Sequence, residues 1–309
     1  MRFAHIATAL FAIILPLPVL GQQAISAPIM VSADTAVTKL PSAVRKRIAI
    51  GAAPSEVLAL LKAQPSLILD GATLSVDAPP IGSSQTLSLN RLELRNGARI
   101  VTNGINLEIN ALQIVPGSGQ IVSFDSAAGK LPPTAADQSN GASGSSAGTL
   151  VLNAALDRTD VLNVSLHGQD GQSGGKGAPG PTGAPGTRGD NGADHLFDCA
   201  RGGGNGGAGS QGGPGGKGGS GGNGGDGGRL ILRNGIATQR MQVNFVAPGG
   251  KEGDGGKAGA GGPGGPGGPG GSGTFYCRGG SAGSNGAQGL LGAPGEKGKP
   301  GATGTVTVD

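Results

Sequence analysis

Hydrophobic and polar residues alternate along this chain with a period that changes from segment to segment. Over 6–20 the chain is apolar but for Thr8, with Arg2 ahead of it and the small residues Val19 and Gly21 at its end. That pattern predicts an export signal over 1–21, cleaved after Gly21. The stretch is short for a membrane span and is interrupted by Pro16 and Pro18. Residues 22–65 read as a short helical and linker region, loosely ordered over 22–40. Val44 and Ile48 lie four apart, and Ser55 can cap a turn that carries Val57, Leu58, Leu60 and Leu61 between Pro54 and Pro65. From 66 to 125 the period becomes two. Leu67 and Leu69, Leu87 and Leu89, Leu92 and Leu94, Ile105, Leu107 and Ile109, then Leu112 and Ile114 predict short strands, with turns at Asn96-Gly97 and Asn103-Gly104. Even spacing and aliphatic side chains favour a β-solenoid over a compact β-sandwich.

Residues 126–148 are rich in Ala, Ser and Gly around Pro132-Pro133 and read as a linker or long loop. Alternation returns at Leu150 and Leu152, at Leu162, Val164 and Leu166, at Leu230 and Leu232, at Met241, Val243 and Phe245, and at Val306 and Val308. These positions flank glycine-rich stretches, so they predict strands that extend the β region and anchor whatever the glycines form. Asn234-Gly235 would turn one of them.

Within the region 149–309, glycine recurs at every third position in four runs, over 168–194, 203–229, 250–273 and 280–306. A disordered glycine-rich linker has no reason to keep phase. Period three is that of the polyproline II helix, in which each run would span roughly 75–85 Å at ~3.1 Å per residue. That helix makes no internal hydrogen bonds, so its backbone groups need partners in water, in two further chains or in neighbouring runs. Runs two and three carry a second glycine in most triplets, as in GGPGGKGGSGGNGGDGG and GPGGPGGPGGSG. A collagen trimer has no use for it, whereas a run packed between neighbours needs two faces free of Cβ. Runs one and four, with GAPGPTGAPG and GAPGEKGKPG, suit outer positions. The expected fold is therefore mainly β plus polyproline II. A solenoid or sandwich base carries an intramolecular bundle of four runs, and a monomer is favoured over a collagen-like trimer.

These runs resemble the collagen-like Gly-X-Y proteins of bacterial surfaces. They are more similar still to the glycine-rich polyproline II bundles of the snow flea antifreeze protein and of phage tail-fibre adhesins. The resemblance covers 168 to the C-terminus and implies a bundle; it rests on period and composition and speaks to fold more than to function.

Parity fixes which ends meet. If run one leaves the β region and run two returns, HLFDCAR lies at the far end; run three goes out again, so TFYCRG lies there too. Cys199 and Cys277 should then form a disulfide, as export to an oxidising compartment favours. The same end gathers His195, Phe197, Arg201, Phe275, Tyr276 and Arg278. These side chains either cap the bundle and bury its end or form a presented binding tip.

Composition narrows the chemistry. Among 309 residues are 66 glycines, six phenylalanines, one tyrosine and no tryptophan. The formal charge of +4 becomes +3 without Arg2, too weak and mixed to indicate nucleic acid. Glycine signatures of phosphate loops carry no information against this background. Asp226 in GGNGGDGG does not recur as a calcium repeat would, and His167 and His195 are isolated. No catalytic residue, metal or cofactor is expected. The expectation is a secreted or cell-surface protein, or a periplasmic one. It would be non-enzymatic, structural or adhesive, and directed at a cell-surface or matrix polymer or a host surface. Alternatives are a module binding polysaccharide or ice through the outer faces of runs one and four, and a trimeric collagen-like fibre. Thr182 and Thr187 are too few for ice, and the lack of tryptophan weighs against sugar stacking.

Overall fold

The computed structural model describes residues 29–32, 64–76, 84–125, 133–157 and 160–309. The expected export signal, and the helix expected over 42–64 apart from Gln64, lie outside these residues. The protein is mainly β. In chain order the strands are β1 (Ile29–Ser32), β2 (Leu67–Asp70), β3 (Thr73–Ser75), β4 (Ser84–Arg95), β5 (Arg99–Val101), β6 (Asn106–Val115) and β7 (Gln120–Val122). They continue with β8 (Thr149–Leu156), β9 (Leu162–Ser165), β10 (Ala193–Asp194), β11 (Cys199–Arg201), β12 (Arg229–Arg233), β13 (Val243–Val246) and β14 (Val306–Val308). Strand β1 corrects the expectation of loose structure over 22–40: Ile29–Ser32 pairs in parallel with Leu67–Asp70.

Two parallel sheets make up the base. The larger has the order β1-β2-β4-β6-β8-β12-β14 and the smaller β13-β9-β7-β5-β3. The chain passes from the larger sheet to the smaller and back, and each pass adds a parallel neighbour. The pairing in both sheets is parallel, not the antiparallel pairing of a sandwich. Aliphatic residues stack in register down the winding; Leu107, Leu150, Leu230 and Val306 form one such row. All but half-buried Val306 are almost fully removed from water, and each buried leucine stabilises by about 1.5–3 kcal/mol. In the long strands the inward phase switches from odd to even. Leu87 and Leu89 give way to Leu92 and Leu94, and Leu107 and Ile109 to Ile114, with a register shift between Asn110 and Gln113. Asparagines stack as well. Asn153 donates to Asn110 at 2.9 Å, and Asn234 donates to Asn153. The asparagines of the expected turns, Asn96 and Asn103, have positive φ, as do Gly97 and Gly104 after them.

The glycine-rich segments all leave the winding at the same corner, where the chain crosses from the smaller sheet to the larger. That crossing takes only 102–105 between β5 and β6. It lengthens to 123–148 before β8, to 166–228 before β12 and to 247–305 before β14. The described part of each long crossing forms a hairpin. Run one is parallel to run three: Gly168 donates to the carbonyl of Pro248 at 3.0 Å and Gly192 to that of Ser272 at 2.9 Å, with a constant offset between. Run two returns antiparallel to run one, from Gly204 on Asp190 to Gly225 on Gln169. Run two is parallel to run four, and run four antiparallel to run three. Strand neighbours therefore become run neighbours. Runs one and three continue β9 and β13, and runs two and four lead into β12 and β14.

Of the linker or long loop expected over 126–148, the described part lies ordered against the runs. Residues 133–137 run out beside run one, with Ala135 donating to Ser173, and the chain turns at Gln138, φ 64°. Residues 139–148 return against runs one and two; Gly141 and Gly144 donate to Ser220 and Asn223, both at 2.8 Å. Asparagine and aspartate side chains fasten the same neighbours. Asn205, Asn223 and Asp226 accept from the amides of Ser281, Lys299 and Ala302 at 2.8–2.9 Å. Asp226, weighed above as a calcium ligand, is thus a link between runs. On the surface, Lys297 lies 2.6 Å from Glu252 and holds that carboxyl below the usual carboxylate range.

Candidate functional site

The far end of the hairpins is the site singled out by the sequence. Cys199 and Cys277 are joined by a disulfide. It ties the loop after run one to the loop after run three, across a sequence separation of 78. Strands β10 and β11 pair antiparallel around the first loop, and the His195 amide closes it by donating to Asp198 at 2.9 Å. In the second loop the Thr274 amide donates to the Cys277 carbonyl at 2.9 Å, and the Cys277 amide to Thr274 Oγ1 at 3.1 Å. Asp194 joins the two loops by accepting from the Thr274 hydroxyl and, at 3.4 Å, from the Tyr276 amide. The backbone of the tip is therefore fixed by a covalent bond and by hydrogen bonds on both sides.

Its apolar side chains point outward. Phe197 is 79% exposed and Phe275 91% exposed, and Leu196 beside them is 83% exposed. Of the two arrangements left open by the sequence, these exposures fit outward-facing aromatics and not burial of the end by Phe197 and Phe275. Tyr276 is 45% exposed and meets Phe275 edge to face at 4.9 Å. His195, Arg201 and Arg278 are exposed too; Arg201 donates to the Asn191 carbonyl at 3.3 Å, and the Arg278 carbonyl accepts from Gly203. The structure thus brings all six expected side chains to one end. Leu196, Asp194 and Thr274 belong there as well. Their signal was simply adjacency to the cysteines in loops of the same parity. A second exposed apolar pair, Leu290 and Leu291, lies midway along run four.

Among the described residues, no group of three His, Cys, Asp or Glu side chains is placed to hold a metal ion, and no helix is long and apolar enough to cross a membrane. His167 and His195 stand at opposite ends of run one. Comparison of the chain with protein-family models, with curated proteins and with solved structures finds no match.

Proposed function

We propose that this is an exported, non-enzymatic adhesive protein. A β-solenoid base carries a bundle of polyproline II runs and presents the disulfide-linked far end to a surface. The bundle reading is supported by backbone hydrogen bonds that recur every third residue and by glycine rows facing neighbouring carbonyls. A Cβ at Gly183 would lie 2.1 Å from the Ser210 carbonyl, and one at Gly286 1.9 Å from the same oxygen. In every triplet of the four runs at least one glycine amide finds an acceptor within the same chain, which supports a monomer over a trimeric fibre. A disulfide between far-separated residues suits an oxidising compartment.

The observation that carries adhesion is the outward orientation of Phe197 and Phe275 on a pinned backbone. Apolar aromatics exposed at the end of a rigid scaffold are poised to bury against a partner, with little ordering left to oppose it. The test is retention of beads carrying the protein on cellulose, chitin, mucin and epithelial-cell surfaces, compared with the double variant Phe197→Ser/Phe275→Ser. Exposed substitutions of this kind leave stability within about 0.5 kcal/mol. Retention is expected to fall about tenfold, roughly 1.4 kcal/mol, on whichever surface holds the wild type. Unchanged retention of the variant, or no retention of the wild type on any of the surfaces, would contradict adhesion through the tip.

A further inference from the structure

The short hairpin over 133–148 stops well before the far end, and what it leaves uncovered resembles what it covers. Its returning limb lies in the angle between runs one and two. Beneath it a Cβ at Gly219, Gly222 or Gly225 would sit 1.9, 2.0 or 2.1 Å from the carbonyls of Ser139, Ala142 and Ser145. Those glycines are required by the limb above them. Past Gln138 the angle continues toward the tip with no segment of the described residues in it, yet run two keeps the same row of glycines at 204, 207, 213 and 216. A Cβ at Gly204 or Gly216 would meet nothing nearer than 3.1 Å; at Gly207 and Gly213 the nearest atoms belong to the side chains of Thr187 and Pro181. Ser210 stands in that row with its own Cβ. Packing within the chain therefore does not demand glycine at 204, 207 or 216; only at Gly213 does the Pro181 ring, 2.6 Å from the Cβ position, require it. Other second glycines in the runs are covered: Gly175 by the Ala136 carbonyl at 1.8 Å, and Gly261 and Gly264 by run four at 1.9 Å.

The backbone of the uncovered angle is also open. Under the hairpin, the run-two carbonyls of Ser220, Asn223 and Asp226 accept from Gly141, Gly144 and Ala147. The series continues toward the tip through Lys217, Pro214, Gln211, Ala208 and Asn205, whose carbonyls accept no hydrogen bond among the described residues. On run one, Gln169, Gln172 and Gly175 donate to the hairpin. The next amides in that series that remain open are those of Ala178, Thr187 and Asp190; Pro181 has none, and the Ala184 amide is held by Ser210 Oγ at 2.6 Å.

We propose that this angle is a docking groove for another chain's extended Gly-X-Y segment, which would continue the path of 139–148 parallel to run two. The groove from Lys217 to Asn205 takes about four triplets at ~3.1 Å per residue. The hairpin itself shows the requirement for glycine. A Cβ at Gly141 or Gly144 would lie 1.8 or 2.0 Å from the carbonyls of Gln172 and Gln169, so an extended peptide without the phase cannot approach. A second copy of this chain is a poor occupant, because its own glycine rows already face its own carbonyls. The groove is separate from the tip and does not rest on adhesion there.

Fluorescence anisotropy of a labelled (Gly-Ala-Ser)5 peptide with the full chain tests the proposal. Saturable binding is expected, with affinity about tenfold lower for a peptide of the same composition whose glycines are out of phase. Gly216→Leu and Ser210→Leu should each weaken binding about tenfold or more while far-UV circular dichroism stays that of the wild type. Phe197→Ser/Phe275→Ser should bind the peptide as the wild type does, which separates this site from the tip. The groove is refuted by no saturable binding up to about 1 mM, by equal binding of the out-of-phase peptide, or by full binding in either folded groove variant.

Discussion

Replacing Gly262 with alanine is expected to destabilise the protein by about 3 kcal/mol or more, beyond any substitution on the outward faces. Gly262 belongs to the row of run three that faces run one, and every third position from 250 to 271 in that row is glycine. A Cβ there would lie 2.0 Å from the Pro181 carbonyl oxygen and 2.6 Å from that of Gly180. Both are backbone atoms, so no rotamer change relieves the overlap. Moving run one away would strain hydrogen bonds on both sides: Gly180 donates to Ala260 at 2.8 Å, and Gly213 to Pro181 at 2.8 Å. Alanine also lowers the conformational entropy of the unfolded chain, a stabilising effect of only about 0.4–1 kcal/mol. The overlap outweighs it. Gly216→Ala is the control. Its Cβ clears the nearest atom by 3.1 Å, so the entropy gain and a mild squeeze should leave the change within about 1 kcal/mol. Urea unfolding of the two variants side by side measures the difference. Equal midpoints would mean that the glycine rows do not pack as described.

Removing the disulfide is expected to be at least as damaging. Cys199→Ala/Cys277→Ala opens a loop of 78 residues, which on the chain-entropy account releases about 4–5 kcal/mol of unfolded-state entropy. The constraint matters because the runs bury few apolar side chains to oppose the ordering of their backbone, on the order of 1 kcal/mol per residue. Loss should begin at the far end. Strands β10 and β11 are short and exposed, whereas β8, β12 and β14 are held by the aliphatic rows of the base. Thermal unfolding with and without reductant, followed by the fluorescence of Tyr276 and by far-UV circular dichroism, reads the order. An unchanged midpoint on reduction would contradict it.

Much of this arrangement was written in the spacing of residues. The phase of the glycines marked the runs, and the breaks between runs placed Cys199 and Cys277 at one end. The alternation at Leu150, Leu162, Leu230, Val243 and Val306 marked strands that return between runs. What spacing could not show is that strand neighbours and run neighbours are the same neighbours, because register across 80 residues is set by contacts and not by local pattern. The short hairpin was hidden for a different reason. Its period survives only at Gly141, Gly144 and Ala147, too few repeats to stand out in an Ala- and Ser-rich stretch. The asparagine row through Asn110, Asn153 and Asn234 was equally silent, since the residues lie far apart in the chain and meet only after winding. At the tip, the sequence gathered the right side chains but left open whether they face inward. That choice depends on the turn geometry set by Asp194 and Thr274.

Native-state amide hydrogen exchange, resolved residue by residue, tests the packing of the runs most directly. In run one, Gly177, Gly180 and Gly183 should be protected while the amides of Ala178 and Thr182 exchange freely. Between 203 and 219 run two should protect two of each three residues, because Gly212 donates to Ala287 and Gly213 to Pro181. Run three has the same doubled glycines but should protect only one of each pair, as with Gly262 slow and Gly261 fast, except at Gly267-Gly268, where Asn285 Oδ1 accepts from Gly267 at 2.9 Å. The pattern should not change with protein concentration. Uniformly fast exchange through 168–304, or protection that appears only as concentration rises, would contradict one chain folded back on itself.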